Sequence, residues 1–235
     1  MLSPSPGALA RRIEQLELRK ETTADDISST CPDLDRLGVG ALIVHSGNVP
    51  IAASRLKGSS VRVGCVIGFP FGGDLPEVKA REIEAATKHG ASVFDVVLNS
   101  GAIRSARWEY VERETAVLRK AGGSSTLNAI LECAFLEEDQ QRKVCGILHS
   151  VGFHGVVNTT GFRLVSTDPR SEGAAQPDSI ARLRRTAGSD LEVKARGGID
   201  SWQDAVSLLE AGASWIGTSH AAEIVQSLLE SGTAV

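Results

Sequence analysis

Long apolar runs are missing from this 235-residue chain. None approaches the ~20 residues of a membrane span, and the N-terminal MLSPSPGALARRIEQ has no apolar core of signal-peptide length. A cytoplasmic protein with no membrane partner is expected. Aromatic residues make up only 4%, with a single tyrosine, and the basic residues are scattered under a net charge of -4. That leaves neither a stacking platform nor a basic stripe for nucleic acid. Cys31, Cys65, Cys133 and Cys145 form no C-x-x-C pair, which fits reduced, intracellular thiols. There is no H-x-x-x-H or clustered carboxylate spacing, so neither a metal nor another cofactor is expected. The dinucleotide fingerprint G-x-G-x-x-G is also absent.

What the chain does have is ordinary globular composition, 42% hydrophobic and 23% charged, and one domain over residues 1–235 is expected. Short apolar runs recur at 41–45, 61–69, 92–99, 126–133, 154–159, 191–195 and 214–219, with an eighth, poorly alternating one at 12–18. Between them lie stretches with helical spacing. In PEVKAREIEAATKHG, Pro76 opens and Gly90 closes a helix with Val78, Ile83 and Ala86 available to a core. The endings KHGAS, SVGFH and EAGAS each put a glycine before the next strand. Eight such units predict an α/β fold, a closed (β/α)8 TIM barrel, rather than an open sheet. The long polar stretch Phe162 to Asp178 then rises from the C-terminal face, where barrels bind ligands.

Period-two alternation assigns faces. In SVFDVVLN, Phe94, Val96 and Leu98 share one face, and Asp95, Val97 and Asn99 the other. The same parity turns Asn128 and Glu132 inward on the fifth strand, and Lys194 and Arg196 inward on the seventh. Asp95, Glu132, Lys194 and Arg196 are thus expected to converge. An inward lysine is costly to bury, which makes Lys194 the first functional suspect. His45 and His220 end near the same mouth.

The pieces VIGFPFG (66–72), EVKA (77–80), FDVVLNSGAI (94–103), EYVERE (109–114), TTGF (159–162), VKARGGI (193–199) and LEAGASWIGTS (209–219) occur in order and span nearly the whole chain. Through them the chain resembles the deoxyribose-phosphate aldolase family, class I (β/α)8 enzymes that form a lysine imine with an aldehyde. The resemblance implies that Lys194 matches the second lysine of the family site and Asp95 its proton-transfer carboxylate. The family's imine lysine falls at Val157. Another family lysine falls at Asn128, and its N-terminal Asp-His-Thr at Glu14, Gln15 and Leu16. Phosphate recognition in the family maps to Gly161, Gly197, Gly198 and Ser219. Arg196 replaces a small residue there and Asp200 a frequent arginine.

The resulting expectation is a Schiff-base lyase acting on a small aldehyde or keto compound, with Lys194 as amine, Asp95 as acid and base, and Glu132 orienting Lys194 or accepting a substrate hydroxyl. Deoxyribose 5-phosphate cleavage itself is expected to be weak or absent. An anionic group would lie near Gly161, Arg196, Gly197, Gly198 and Ser219, with Asn99 and Asn128 contributing. Two alternatives stay open: a catalytically silent protein that binds a small anion or regulates, and an acid–base enzyme that forms no imine. A homodimer is the expected assembly.

Overall fold

The computed structural model of the chain describes residues 5–162 and 175–230. The apolar runs form β1 (Ile13–Glu17), β2 (Ala41–Val44), β3 (Arg62–Ile67), β4 (Val93–Val97), β5 (Thr126–Ile130), β6 (Gly155–Val157), β7 (Glu192–Arg196) and β8 (Trp215–Thr218). The helices are α1 (Pro6–Ala10), α2 (Ala24–Leu37), α3 (Val49–Arg55), α4 (Pro76–Lys88), α5 (Ser100–Arg104), α6 (Trp108–Gly122), α7 (Glu138–Val151), α8 (Pro177–Ala187), α9 (Trp202–Glu210) and α10 (Ala221–Glu230). The strands follow one another around a closed, parallel barrel, with β8 pairing back onto β1. This is the expected (β/α)8 architecture. The poorly alternating run at 12–18 is indeed a strand. Its alternation is blurred because strands of such a barrel are covered on both faces.

The register decides which side chains meet. Asp95 lies opposite Asn128, Val157 opposite Lys194, and Gly217 opposite both Arg196 and Glu14. Parity continues across these pairs, so Glu14, Asp95, Asn128, Val157, Lys194 and Arg196 all point into the barrel. The alternate residues Phe94, Val96, Leu127, Ala129, Val193 and Ala195 pack outward under the helices. Inside, Val97, Ile130 and Val157 form a small apolar layer against Phe69, while Ala41, Ile43, Val66 and Val93 fill the other side.

Outside the barrel wall, α4 and α6 share a fully buried ion pair. Lys79 Nζ donates to Glu114 at 2.6 Å and to the carbonyl oxygens of Gly72 and Val97 at 2.7 Å each. It therefore ties the β3–α4 loop to the end of β4, and accounts physically for EVKA and EYVERE. Burial pushes the Glu114 carboxyl up, against the pull of Lys79.

Two expectations about elements are corrected. Val78 does not face the core and is 55% exposed, because it lies about 140° around the helix from Ile83. Glu132 does not continue β5. The strand ends at Ile130, and Glu132 has a φ of 52°, which turns the chain and ends the parity argument. Most of the polar loop expected after β6, residues 163–174, lies outside the described residues.

Candidate active site

Four ionised groups meet in the barrel interior. Lys194 Nζ lies 2.7 and 2.8 Å from the two carboxylate oxygens of Glu14, and 2.9 and 3.2 Å from those of Asp95. Arg196 Nη2 donates to Asp95 Oδ2 and lies 3.6 Å from Glu14. Asn128 Nδ2 donates to Asp95 Oδ1 at 2.8 Å. Three strands, β1, β4 and β7, thus supply a balanced set, two cations and two anions, to which β5 adds the neutral Asn128; Lys194 is 3% and Arg196 1% exposed. Burial alone would raise the Asp95 carboxyl. The Arg196 and Lys194 charges, with hydrogen bonds from Lys194 and Asn128, outweigh it and hold Asp95 at about 2.

Above this network a cavity of about 420 Å³ opens at the C-terminal mouth. Leu16, Leu18, Phe69 and Ile199 give it apolar walls, and Arg196 is the member of the network that lines it. Gly217 makes room for that arginine, since a Cβ there would stand 2.8 Å from Arg196 Cγ and 2.9 Å from Nε. Gly197 and Gly198, with φ of 99° and 63°, turn the chain after β7 and line the same cavity with Gly161 and Ser219. Arg19, Lys20, Glu21 and Asp200 stand on its rim, and His220 lies 3.7 Å from Asp200. His45 bonds the Leu18 carbonyl at 3.0 Å and packs edge-on to Phe69.

The structure thus brings together Asp95, Lys194 and Arg196 as expected; Asn128, expected at an anion site, donates to Asp95 inside this cluster instead and does not line the cavity, and others stand apart. Glu132 does not reach Lys194 in any described contact. Its carboxylate accepts from Thr159 Oγ1 at 3.1 Å and from the Thr160 amide, bracing the turn after β6. Asn99 is the N-cap of α5, its carboxamide oxygen accepting the Ala102 amide at 2.9 Å. The Gly161 amide donates to Thr159 Oγ1 at 3.1 Å, so it is already used. Glu14 was missed as a site residue. Two inward cations on β7 call for two buried anions, and counting parity along β1 would have found the second.

A closed barrel carrying a buried lysine between two carboxylates, beneath an apolar-walled mouth, defines a (β/α)8-barrel protein with a site suited to carbonyl chemistry. No family model matches the sequence. A deoxyribose-phosphate aldolase from Geobacillus sp. (strain WCH70) is 35% identical over 93% of this chain and 95% of its own length. One from Macrococcus caseolyticus is 34% identical over 93% and 96%. Among solved structures, the aldolase QR15 superposes with a TM-score of 0.86 at 28% identity, over 94% of this chain and 96% of its own. The chain belongs to the deoxyribose-phosphate aldolase family, a family of Schiff-base C–C lyases.

Proposed function

We propose that this lyase acts on a small aldehyde or keto compound through an imine at Lys194, and that deoxyribose 5-phosphate is a poor substrate for it. The observation that carries the reading is the contact of Lys194 Nζ with two buried carboxylates at the barrel centre. The ammonium must lose a proton before it attacks, and Glu14, within 2.8 Å, is positioned to take it. The neutral amine adds to the carbonyl carbon, and the proton taken by Glu14 returns as the carbonyl oxygen leaves as water. The resulting iminium accepts the electron pair when the C–C bond breaks, the hydroxyl of the departing fragment giving its proton to a carboxylate and leaving as a carbonyl. Asp95, held ionised, stabilises the iminium and handles the proton on the adjacent carbon.

Val157 occupies the position that the family resemblance assigns to the imine lysine. It is fully buried against Ile130 and Val97, and no nucleophile stands there. Lys194, its register partner, takes over the covalent role in this reading. The four cysteines are free, which supports a reducing, cytoplasmic setting.

The closure of Lys194 beneath Arg196 favours a second reading, a silent homologue that binds a small anion. Borohydride reduction in the presence of acetaldehyde, glyceraldehyde and pyruvate, read by peptide mass, separates the two. The expected result is one reduced adduct on Lys194, absent in Lys194→Gln. Absence of an adduct with every carbonyl would sink the imine and leave the binding protein.

A further inference from the structure

Lys194 and the cavity that should serve it are separated. Arg196, Gly197 and Gly217 line the cavity, whereas the buried Lys194, Glu14 and Asp95 do not. Arg196 follows Lys194 by two residues on the inward face of β7. It therefore stands about 6.6 Å further along the strand, one layer nearer the C-terminal mouth. Its head reaches Asp95, the carboxylate that also holds Lys194. On the other side, Ala41, Ile43, Val66 and Val93 fill the barrel with an apolar layer. The arginine side chain thus stands between the amine and the mouth.

This seal is held by one end of the guanidinium. Nη2 engages Asp95 and lies 3.6 Å from Glu14, whereas Nε and Nη1 are buried with no hydrogen-bond partner among the described residues. Buried donors left unpaired bear their desolvation cost without return, which favours any position where water or an anion reaches them. The adjoining cavity of about 420 Å³ offers such a position, with the carboxylates of Glu21 and Asp200 on its rim. Opening does not strand Asp95, which keeps Lys194 and Asn128 as partners. Gly217 lets the stem lie flat when closed, since a Cβ there would stand 2.8 Å from Arg196 Cγ.

We propose that Arg196 is a gate over Lys194, and that its side chain leaves Asp95 for the cavity to admit a small carbonyl compound to the amine. The inference deepens the lyase reading above, which supplies the carbonyl, but the gate itself rests on where Arg196 stands. A residue that controls access in this way limits both the rate at which a carbonyl reaches Lys194 and the size that passes. The share of molecules with the gate open scales the apparent affinity for any compound that must reach the amine.

Cyanate labelling of the full chain, read lysine by lysine by peptide mass, tests this. The neutral amine adds to the carbon of isocyanic acid and passes one proton to its nitrogen, leaving a urea, so this small probe reports access without an imine. Lys20 on the rim is exposed and Lys79 is fully buried, and the two serve as internal references. In wild type, Lys194 is expected to label about tenfold or more slowly than Lys20, because it reacts only while the gate is open. Arg196→Ala is expected to speed Lys194 by about tenfold or more and to leave Lys79 unchanged. Loss of a neighbouring cation favours the unreactive ammonium, so a faster reaction reports access. Gly217→Ala displaces the arginine while keeping every charge. It should act in the same direction, and serves if Arg196→Ala does not melt cooperatively. A Lys194 as fast as Lys20 in wild type, a rate unchanged in a folded variant, or a rise matched at Lys79 would overturn the proposal. Borohydride trapping keeps gate and imine apart. Faster cyanate labelling in the variant with no carbonyl trapped by either protein removes only the imine. Acetaldehyde trapped on a Lys194 whose cyanate rate ignores Arg196 removes only the gate.

Discussion

Replacing Asp95 by Asn would test whether the interior network is held together by charge balance. Asp95 contacts Lys194 and Arg196 and accepts from Asn128 while fully buried. The substitution keeps the shape but leaves two buried cations facing Glu14 alone. Removing one partner of a buried pair costs about 3–5 kcal/mol, and this range is expected for Asp95→Asn near neutral pH. The cost must depend on pH in a definite direction. The folded-state carboxyl is depressed to about 2 from an ordinary 3.8, so its contribution is fully present above the unfolded value and is lost as pH falls through the folded one. That depression corresponds to a contribution on the order of 2 kcal/mol, which disappears as the pH falls from about 5 to below about 2. Urea unfolding of wild type and variant across that range should show the gap narrowing by roughly this amount. A gap below about 1 kcal/mol at neutral pH, or one that stays constant on acidification, would refute the reasoning.

Parity carried the sequence reading as far as the strands themselves extend. Asp95, Lys194 and Arg196 lie within β4 and β7, where alternate residues must point inward, and they were legible for that reason. Asn99 and Glu132 lie two residues beyond the ends of β4 and β5, where that rule no longer holds. Asn99 followed the competing preference of asparagine for helix N-caps, and the backbone turn at Glu132 sent its carboxylate to the next loop. Glu14 was obscured for a different reason. β1 is buried on both sides, so hydrophobicity does not mark its inward face, and the need for a second anion appears only once both β7 cations are known to be enclosed. The Lys79–Glu114 pair joins residues 35 apart on separate helices, and no local pattern announces such a contact.

Two further predictions concern lysine chemistry on either side of the barrel wall. Lys79→Met removes the cation from a fully buried pair and frees the Gly72 and Val97 carbonyls, so denaturant unfolding should show a loss of about 3–5 kcal/mol. A loss below about 1 kcal/mol would mean that α4 and α6 hold the loop without it. Val157→Lys asks whether the apolar position beside Lys194 is what separates this chain from the imine chemistry implied by its resemblance. The two positions are register partners on neighbouring inward-facing strands, about 4.8 Å apart at the backbone. At an effective dielectric of 20, two unit charges about 5 Å apart repel by roughly 3 kcal/mol, enough to favour a neutral amine at one of them. Overfilling the layer of Val97, Ile130 and Phe69 should cost about 1–3 kcal/mol of stability, which leaves the variant measurable if the wild type has ordinary stability. Borohydride reduction with acetaldehyde should then label position 157, and cleavage of deoxyribose 5-phosphate should rise above the wild-type level. A folded variant that labels only Lys194 and gains no cleavage would show that the barrier lies in the closed network and the Arg196 floor, not in the valine.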